Sequence, residues 1–236
     1  MDFTDRVVLI TGGTGALGSV VTRAFLQNGA RVVTTYHGEA GFRALQNSLG
    51  EEKARLQGVQ ANVTKAGDTQ QLVEQTLAQF RRLDVLAHLV GGFAGGVNVA
   101  ELAEADWDHM LTLNLKSVFL MCKAVLPHML KNGYGRIVNT ASRGAIEVGA
   151  GASAYAVAKA GVLTLTKAIA QEVKGRGVTA NTVLPGTIDT AANRQAMPQA
   201  QLSSFVRPES VAQVILFLAS AAAAEVNGAA VPVYGG

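Results

Sequence analysis

Apolar residues fall along this chain in two alternating rhythms. Short unbroken apolar runs, of the kind that form strands covered on both faces, are separated by stretches where apolar residues return at helical spacing. "RVVLIT" (6–11) predicts a first strand. Leu17, Val20, Val21, Ala24 and Phe25 then recur as on a helix face, and Asn28-Gly29 ends it. "ARVVTTY" (30–36), "RLQGVQANV" (55–63) and "LDVLAHLV" (83–90) predict strands two to four, with a helix over 66–81. Residues 106–131 read as one long helix that Pro127 should kink or end. "GRIVNTAS" (135–142) is strand five, 153–174 a helix, and "GVTANTVLP" (177–185) strand six. A helix over 208–220 and a short strand, "AAVPVY" (229–234), close the chain. The alternation predicts an α/β fold, a doubly wound parallel sheet of about seven strands with helices on both faces. Without linker, repeat or low-complexity tract, residues 1–236 read as a single domain.

Composition narrows the classes. Hydrophobic residues make up 49% of the chain, enough for a sizeable core, and the net charge of +3 is spread without a basic tract, which speaks against nucleic acid as a partner. No apolar run approaches the roughly 20 residues of a membrane span, and "MDFTDR" is no secretory leader. Cys122, the one cysteine, fits a reducing, cytoplasmic setting. No metal cluster is expected.

"TGGTGALG" (11–18) places four glycines between the first strand and the first helix. Glycines let the backbone approach a pyrophosphate, and the helix N-terminus attracts its charge. Three registers fit. Gly13, Gly15 and Gly18 read as G-x-G-x-x-G. Thr11, Gly12, Gly15 and Gly18 read as T-G-x-x-G-x-x-G. Thr11, Gly12, Ala16 and Gly18 read as T-G-x-x-x-[AG]-x-G.

Tyr155 and Lys159 in "YAVAK" share a helix face. An ammonium near a phenol favours the phenolate, so the pair could pass a proton to a developing alkoxide. By itself this spacing arises often by chance. Ser142 ends strand five, Asn114 sits mid-helix where its propensity is poor, and "LPGTIDT" (184–190) follows strand six at the sheet edge where ligands bind.

Taken together, "TGGTGALG", Asn114 in "LNLKSVF", "GRIVNTAS", "YAVAK" and "LPGTIDT" resemble the short-chain dehydrogenase/reductase family over essentially the whole chain. The resemblance implies a Rossmann-type fold and selects the third register. It implies Tyr155 as general acid in reduction and Lys159 as the group that lowers its pKa and holds the nicotinamide ribose. It implies Ser142 on the substrate carbonyl and Asn114 ordering a relay water. Cofactor contacts would come from Thr11, Gly12, Thr14, Gly15, Ala16, Leu17, Gly18, Tyr36, His37, Asn62, Val63, Val90, Gly91 and Gly92. Further contacts would come from Tyr155, Lys159, Pro185, Gly186, Thr187, Ile188 and Thr190.

The departures are specific. The family's Asn-Asn-Ala-Gly after strand four is "HLVGG" (88–92) here, and its Asp after strand three is Asn62, which could still contact adenine. At the end of strand two, Tyr36-His37 replaces the acidic residue that would bind a ribose 2′-hydroxyl. This favours NADP(H), with His37 as a weak phosphate partner and NAD(H) also accepted. "GGFAGG" (91–96) and the lid segment, about 186–206, resemble the corresponding parts of dihydropteridine reductases, which lack the catalytic Ser.

The implied activity is reduction of a small carbonyl, a ketone or 3-oxoacyl-like compound, by a homotetramer or dimer. A quinonoid pterin substrate is the alternative. A nicotinamide sensor or scaffold without chemistry is a second, disfavoured by the intact set Asn114, Ser142, Tyr155 and Lys159. A sugar-nucleotide epimerase would need a longer C-terminal part.

Overall fold

The computed structural model describes residues 1–200 and 202–235. Seven strands form one parallel sheet: β1 (Val7–Thr11), β2 (Arg31–Tyr36), β3 (Leu56–Gln60), β4 (Val85–His88), β5 (Gly135–Thr140), β6 (Val178–Pro185) and β7 (Ala230–Val233). Their order is β3-β2-β1-β4-β5-β6-β7. The order reverses between β1 and β4, and at such a switch point folds of this kind bind ligands beyond the carboxyl ends of the strands.

Alternation along each strand sends neighbouring residues to opposite faces. Val7 and Leu9 of β1 join one apolar cluster, and Val8 and Ile10 join the other. On the first face pack α3 (Ala66–Phe80), α5 (Ser117–Asn132) and α6 (Ser153–Glu172), through Leu72, Met121 and Val162. On the second pack α1 (Ala16–Gln27), α2 (Glu39–Asn47) and α8 (Pro208–Ala219), through Phe25, Leu45 and Ile215. Removing one such large side chain would cost about 2–5 kcal/mol, because the cavity left behind adds to the lost burial. Away from the carboxyl ends of the strands, the buried Asp84 carboxylate accepts hydrogen bonds from Arg6, Arg82 and the Val7 amide.

The long helix differs from expectation. α4 (Glu104–Leu111) runs through a π-turn, Thr112–Lys116, directly into α5. Pro127 does not end it, for α5 continues to Asn132. Pro127 is exposed, so water can take the place of its missing N–H at the Lys123 carbonyl. The span Glu104–Asn132 is 29 residues long and apolar enough, by length and composition, to cross a membrane, although no single apolar run suggested it. Half of its most apolar window is buried within this fold, as in a core helix. Two helices were not expected: α2, and the short α7 (Ala191–Ala196).

Candidate active site

The glycine loop turns on Gly12, whose φ of +72° is a left-handed conformation. Its amide donates to Thr35 Oγ1 at 2.9 Å, and Gly15 N–H returns to the Gly12 carbonyl at 3.1 Å. Gly15 caps α1, so the first-turn amides of that helix lie at the carboxyl end of β1, and its first turn carries no acidic residue. A Cβ on Gly18 would overlap the Gly12 carbonyl. Gly13, which the chosen register leaves unassigned, is equally constrained, since a Cβ there would overlap the Thr34 hydroxyl. Ala16 opens α1 and Leu17 packs against the core behind it.

Around this loop the expected cofactor residues divide. Thr14 is half-buried and lies toward α2, near Gly41. Tyr36 does not stand free at the strand end: its ring stacks on Phe42 of α2, centroids 5.0 Å apart and planes 12° apart. His37 is exposed, and its carbonyl accepts from Gln60 Nε2. The Asn62 carboxamide oxygen is held in a local turn by Thr64 N–H at 3.0 Å and Thr64 Oγ1 at 2.7 Å. The Val63 side chain is buried in the core, which leaves its backbone for any contact.

β4 ends beside the glycine loop. Val90 is the nearest neighbour to Gly12, 3.1 Å from where a Cβ would lie. Gly91 lies against both Asn114 Oδ1 and Lys159 Nζ. Asn114 is fully buried in the π-turn; its Oδ1 accepts from Gly92 N–H at 3.0 Å and its Nδ2 donates to the Met110 carbonyl at 3.2 Å. The mid-helix Asn thus ties the π-turn to the loop after β4.

Ser142 follows β5 and accepts from Gly144 N–H at 3.1 Å. Its side chain also lies near the Tyr155 phenol and favours the ionised form. Burial pushes the Tyr155 pKa up, and Ser142 opposes this only in part. Lys159 is not among the groups that shift it here. Lys159 Nζ donates instead to the Thr140 carbonyl at 2.9 Å and lies 5.9 Å from the Tyr155 ring centroid. Burial pulls the Lys159 pKa down to about 8, which leaves the ammonium charged at neutral pH.

On the far side, Pro185 ends β6, and Gly186 N–H bonds the Val233 carbonyl. The Thr187 carbonyl accepts from Val206 N–H, and Ile188 pairs with Val206, closing the base of the segment 188–206. Thr190 caps α7 by accepting from Asn193 N–H. Within the lid, Gln201 lies outside the described residues.

Phe93 was not singled out from the sequence. It is 70% exposed, and its ring meets Tyr155 edge-on, centroids 5.0 Å apart. Val97 and Val99 on the same loop, and Ile146 and Val148 after Ser142, are also exposed apolar residues. The Gly96–Gly151 backbone bond, 2.9 Å, joins the two loops. Among the described residues no group of His, Cys, Asp and Glu is placed to hold a metal ion.

The arrangement finds close counterparts. The family model described as enoyl-(acyl carrier protein) reductase matches residues 13–236. A 3-oxoacyl-[acyl-carrier-protein] reductase FabG of Thermotoga maritima is 34% identical over 100% of this chain and 99% of its own length. D-threitol dehydrogenase of Mycolicibacterium smegmatis is 34% identical over 98% of this chain and 92% of its own. Among solved structures, a variant of actinorhodin polyketide ketoreductase with NADPH superposes with a TM-score of 0.91 at 31% identity, covering 100% of this chain and 98% of that one. Levodione reductase superposes with a TM-score of 0.92 at 30% identity, covering 99% and 98%. With the glycine loop, the parallel sheet and these relatives together, the chain belongs to the short-chain dehydrogenase/reductase family and is an oxidoreductase enzyme of it.

Proposed function

We propose that this enzyme, acting as a single domain, reduces the carbonyl of a small apolar ketone with NADPH, NADH also being accepted. One observation carries the reading: Ser142 lies beside Tyr155, and Lys159 and Asn114 meet at Gly91, one residue from the Val90 contact with the glycine loop. The loop fits a dinucleotide, because Gly12 and Gly15 leave backbone where a side chain would intrude and the α1 amides face it. Gly12–Gly18 would hold the pyrophosphate. Tyr36 and His37 would border the adenosine ribose, Asn62 and Val63 the adenine, and Val90–Gly92 and Pro185–Thr190 the nicotinamide side. When bound, the dinucleotide supplies the hydride.

The chain's own residues then handle the proton. The Ser142 hydroxyl orients the substrate carbonyl toward Tyr155. Because burial raises the phenol's pKa, Tyr155 is protonated at neutral pH and serves as the acid. An alkoxide is far more basic than a phenolate, so transfer from the Tyr155 hydroxyl is downhill. The Lys159 ammonium is held by Thr140 at the ribose side. Asn114 keeps the Gly91–Gly92 backbone against it.

The apolar character of the substrate rests on Phe93, Val97, Val99, Ile146 and Val148, all exposed on the two joined loops at Tyr155. Ser142 beside Tyr155 favours a ketone over a quinonoid pterin, because the dihydropteridine reductases that the lid segment resembles lack this Ser. Exposed Phe119 on α5, Val157 on α6 and Phe217 on α8 support a homo-oligomer, dimer or tetramer. The single cysteine, Cys122, free and buried, fits a reducing, cytoplasmic setting. The test follows NADPH and NADH oxidation with aromatic and aliphatic ketones, 3-oxoacyl thioesters and quinonoid dihydropterin. Turnover of apolar ketones is expected; turnover of the pterin alone, or of none, overturns the reading.

A further inference from the structure

His88 occupies the first position of "HLVGG", where the family has Asn. Its imidazole is fully buried. Strand register sets it beside Thr11, and Thr11 Oγ1 lies 3.0 Å from Nδ1. On the other side, Nε2 lies 3.2 Å from Ser117 Oγ. The Ser117 hydroxyl donates to the Leu113 carbonyl at 2.6 Å. Its one proton is thereby committed, so toward His88 it can only accept, and Nε2 carries the hydrogen. Burial, with the Lys159 ammonium adding to it, holds the ring neutral with a pKa of about 3. A neutral ring protonated on Nε2 has a bare Nδ1, which accepts from the Thr11 hydroxyl. Thr11 Oγ1 in turn accepts from Leu89 N–H at 3.2 Å. Hydrogen bonds therefore run one way, from Leu89 through Thr11, His88 and Ser117 to Leu113.

The last link answers a need created by the backbone. In a regular α-helix the Ser117 amide would bond the Leu113 carbonyl, four residues back. Here it bonds the Thr112 carbonyl, five back. The Leu113 carbonyl loses that amide, and the Ser117 side chain replaces it. Asn114, the next residue, is the one that holds Gly92.

We propose that His88 is a positioning residue: through Ser117, its Nε2–H holds the π-turn in shape and so keeps the Asn114 carboxamide against the Gly92 backbone. The inference rests on the reading of Asn114 as part of the reaction centre, and its test has readouts that do not need turnover.

The full chain saturated with NADPH is labelled with ¹⁵N. The His88 ring is expected to show a protonated Nε2 and a bare Nδ1, unchanged from about pH 8 to about pH 5. A proton on Nδ1, or titration in that range, overturns the proposal. In Ser117→Ala and His88→Asn, exchange of the Gly92 amide should speed up by about tenfold or more. Turnover should fall by about tenfold, while KM for NADPH moves less than about threefold. Ser117→Thr, which keeps the hydroxyl, should restore both. Unaltered Gly92 exchange in Ser117→Ala overturns the idea. If the wild type reduces no ketone, the functional reading fails while ring protonation and Gly92 exchange still judge His88. If the variants do not fold, the wild-type ring spectrum decides.

Discussion

Lys159 and Tyr155 lie four residues apart on α6, yet the Lys159 ammonium is bonded to the Thr140 carbonyl at 2.9 Å and lies 5.9 Å from the phenol ring centroid. Its charge is directed to the backbone at the end of β5. The phenol answers mainly to its own burial and to Ser142. The two residues are therefore separable by mutation.

Tyr155→Phe keeps the ring and its edge contact with Phe93 but removes the proton. Cofactor affinity should change little, and turnover should fall by ~10² or more. Near-normal turnover, measured by NADPH oxidation, would exclude Tyr155 as the acid.

Lys159 links stability to pH. Its folded pKa, about 8, lies below the ordinary value of 10.5. Between those values the unfolded chain binds more protons than the folded one, so its contribution to stability rises with pH. Below about 8 the group is charged in both states and its burial opposes folding in full. The urea midpoint of wild type, relative to Lys159→Met, should rise from about pH 8 to about pH 9.5, short of tyrosine ionisation. A flat difference would mean that the ammonium is better solvated than its burial implies. The same variant should lose cofactor affinity, which calorimetry measures.

The glycine loop distinguishes its members. Gly18→Ala drives a methyl into the Gly12 carbonyl and should cost about 1–3 kcal/mol and weaken cofactor binding. Gly15→Ala meets only the Gly12 carbonyl at 3.3 Å and should fold nearly as well as wild type. Equal midpoints in chemical denaturation for both variants would contradict this packing.

Tyr36→Asp places a carboxylate where the 2′-phosphate of NADPH would lie and gives up the stack on Phe42. Repulsion of ~1.4 kcal/mol is tenfold in affinity, so the kcat/KM ratio should move toward NADH by about tenfold or more. An unchanged ratio would mean that the end of β2 does not meet that ribose.

Much of this was legible in the sequence, for identifiable reasons. β1 is buried along its whole length and reads as an apolar run; β5 and β6 are buried as fully but carry polar residues such as Asn139 and Asn181 among the apolar ones. Tyr155 and Lys159 share a helix face by spacing, and Ser142 stands at a strand end, but Asn114 joined them only through the family resemblance. α2 escaped notice because Leu45 is its one buried residue, and α7 has none, so neither has an apolar stripe to read. The π-turn is invisible in a pattern: over five residues its periodicity cannot be told from that of an α-helix. Pro127 misled because sequence does not reveal which side of a helix faces water. The partner of Lys159 is a main-chain carbonyl, which no side-chain motif encodes. His88 was visible only as a departure from the family, and its two partners come from elements far apart in the chain.

The π-turn also absorbs one residue without turning its helices apart. Each residue of an α-helix advances the side chain by about 100° around the axis. α4 packs against α6, whereas α5 packs against α3 and the sheet. A hydrogen bond that reaches five residues back closes a turn with one residue more than an α-turn uses. The five residues Thr112–Lys116 therefore turn the chain about as far as four α-helical residues would, and the helices on either side keep their faces. A chain shorter by one residue here could run on as regular α-helix with α4 and α5 still facing their present neighbours; what it would lose is the widened turn that carries Asn114.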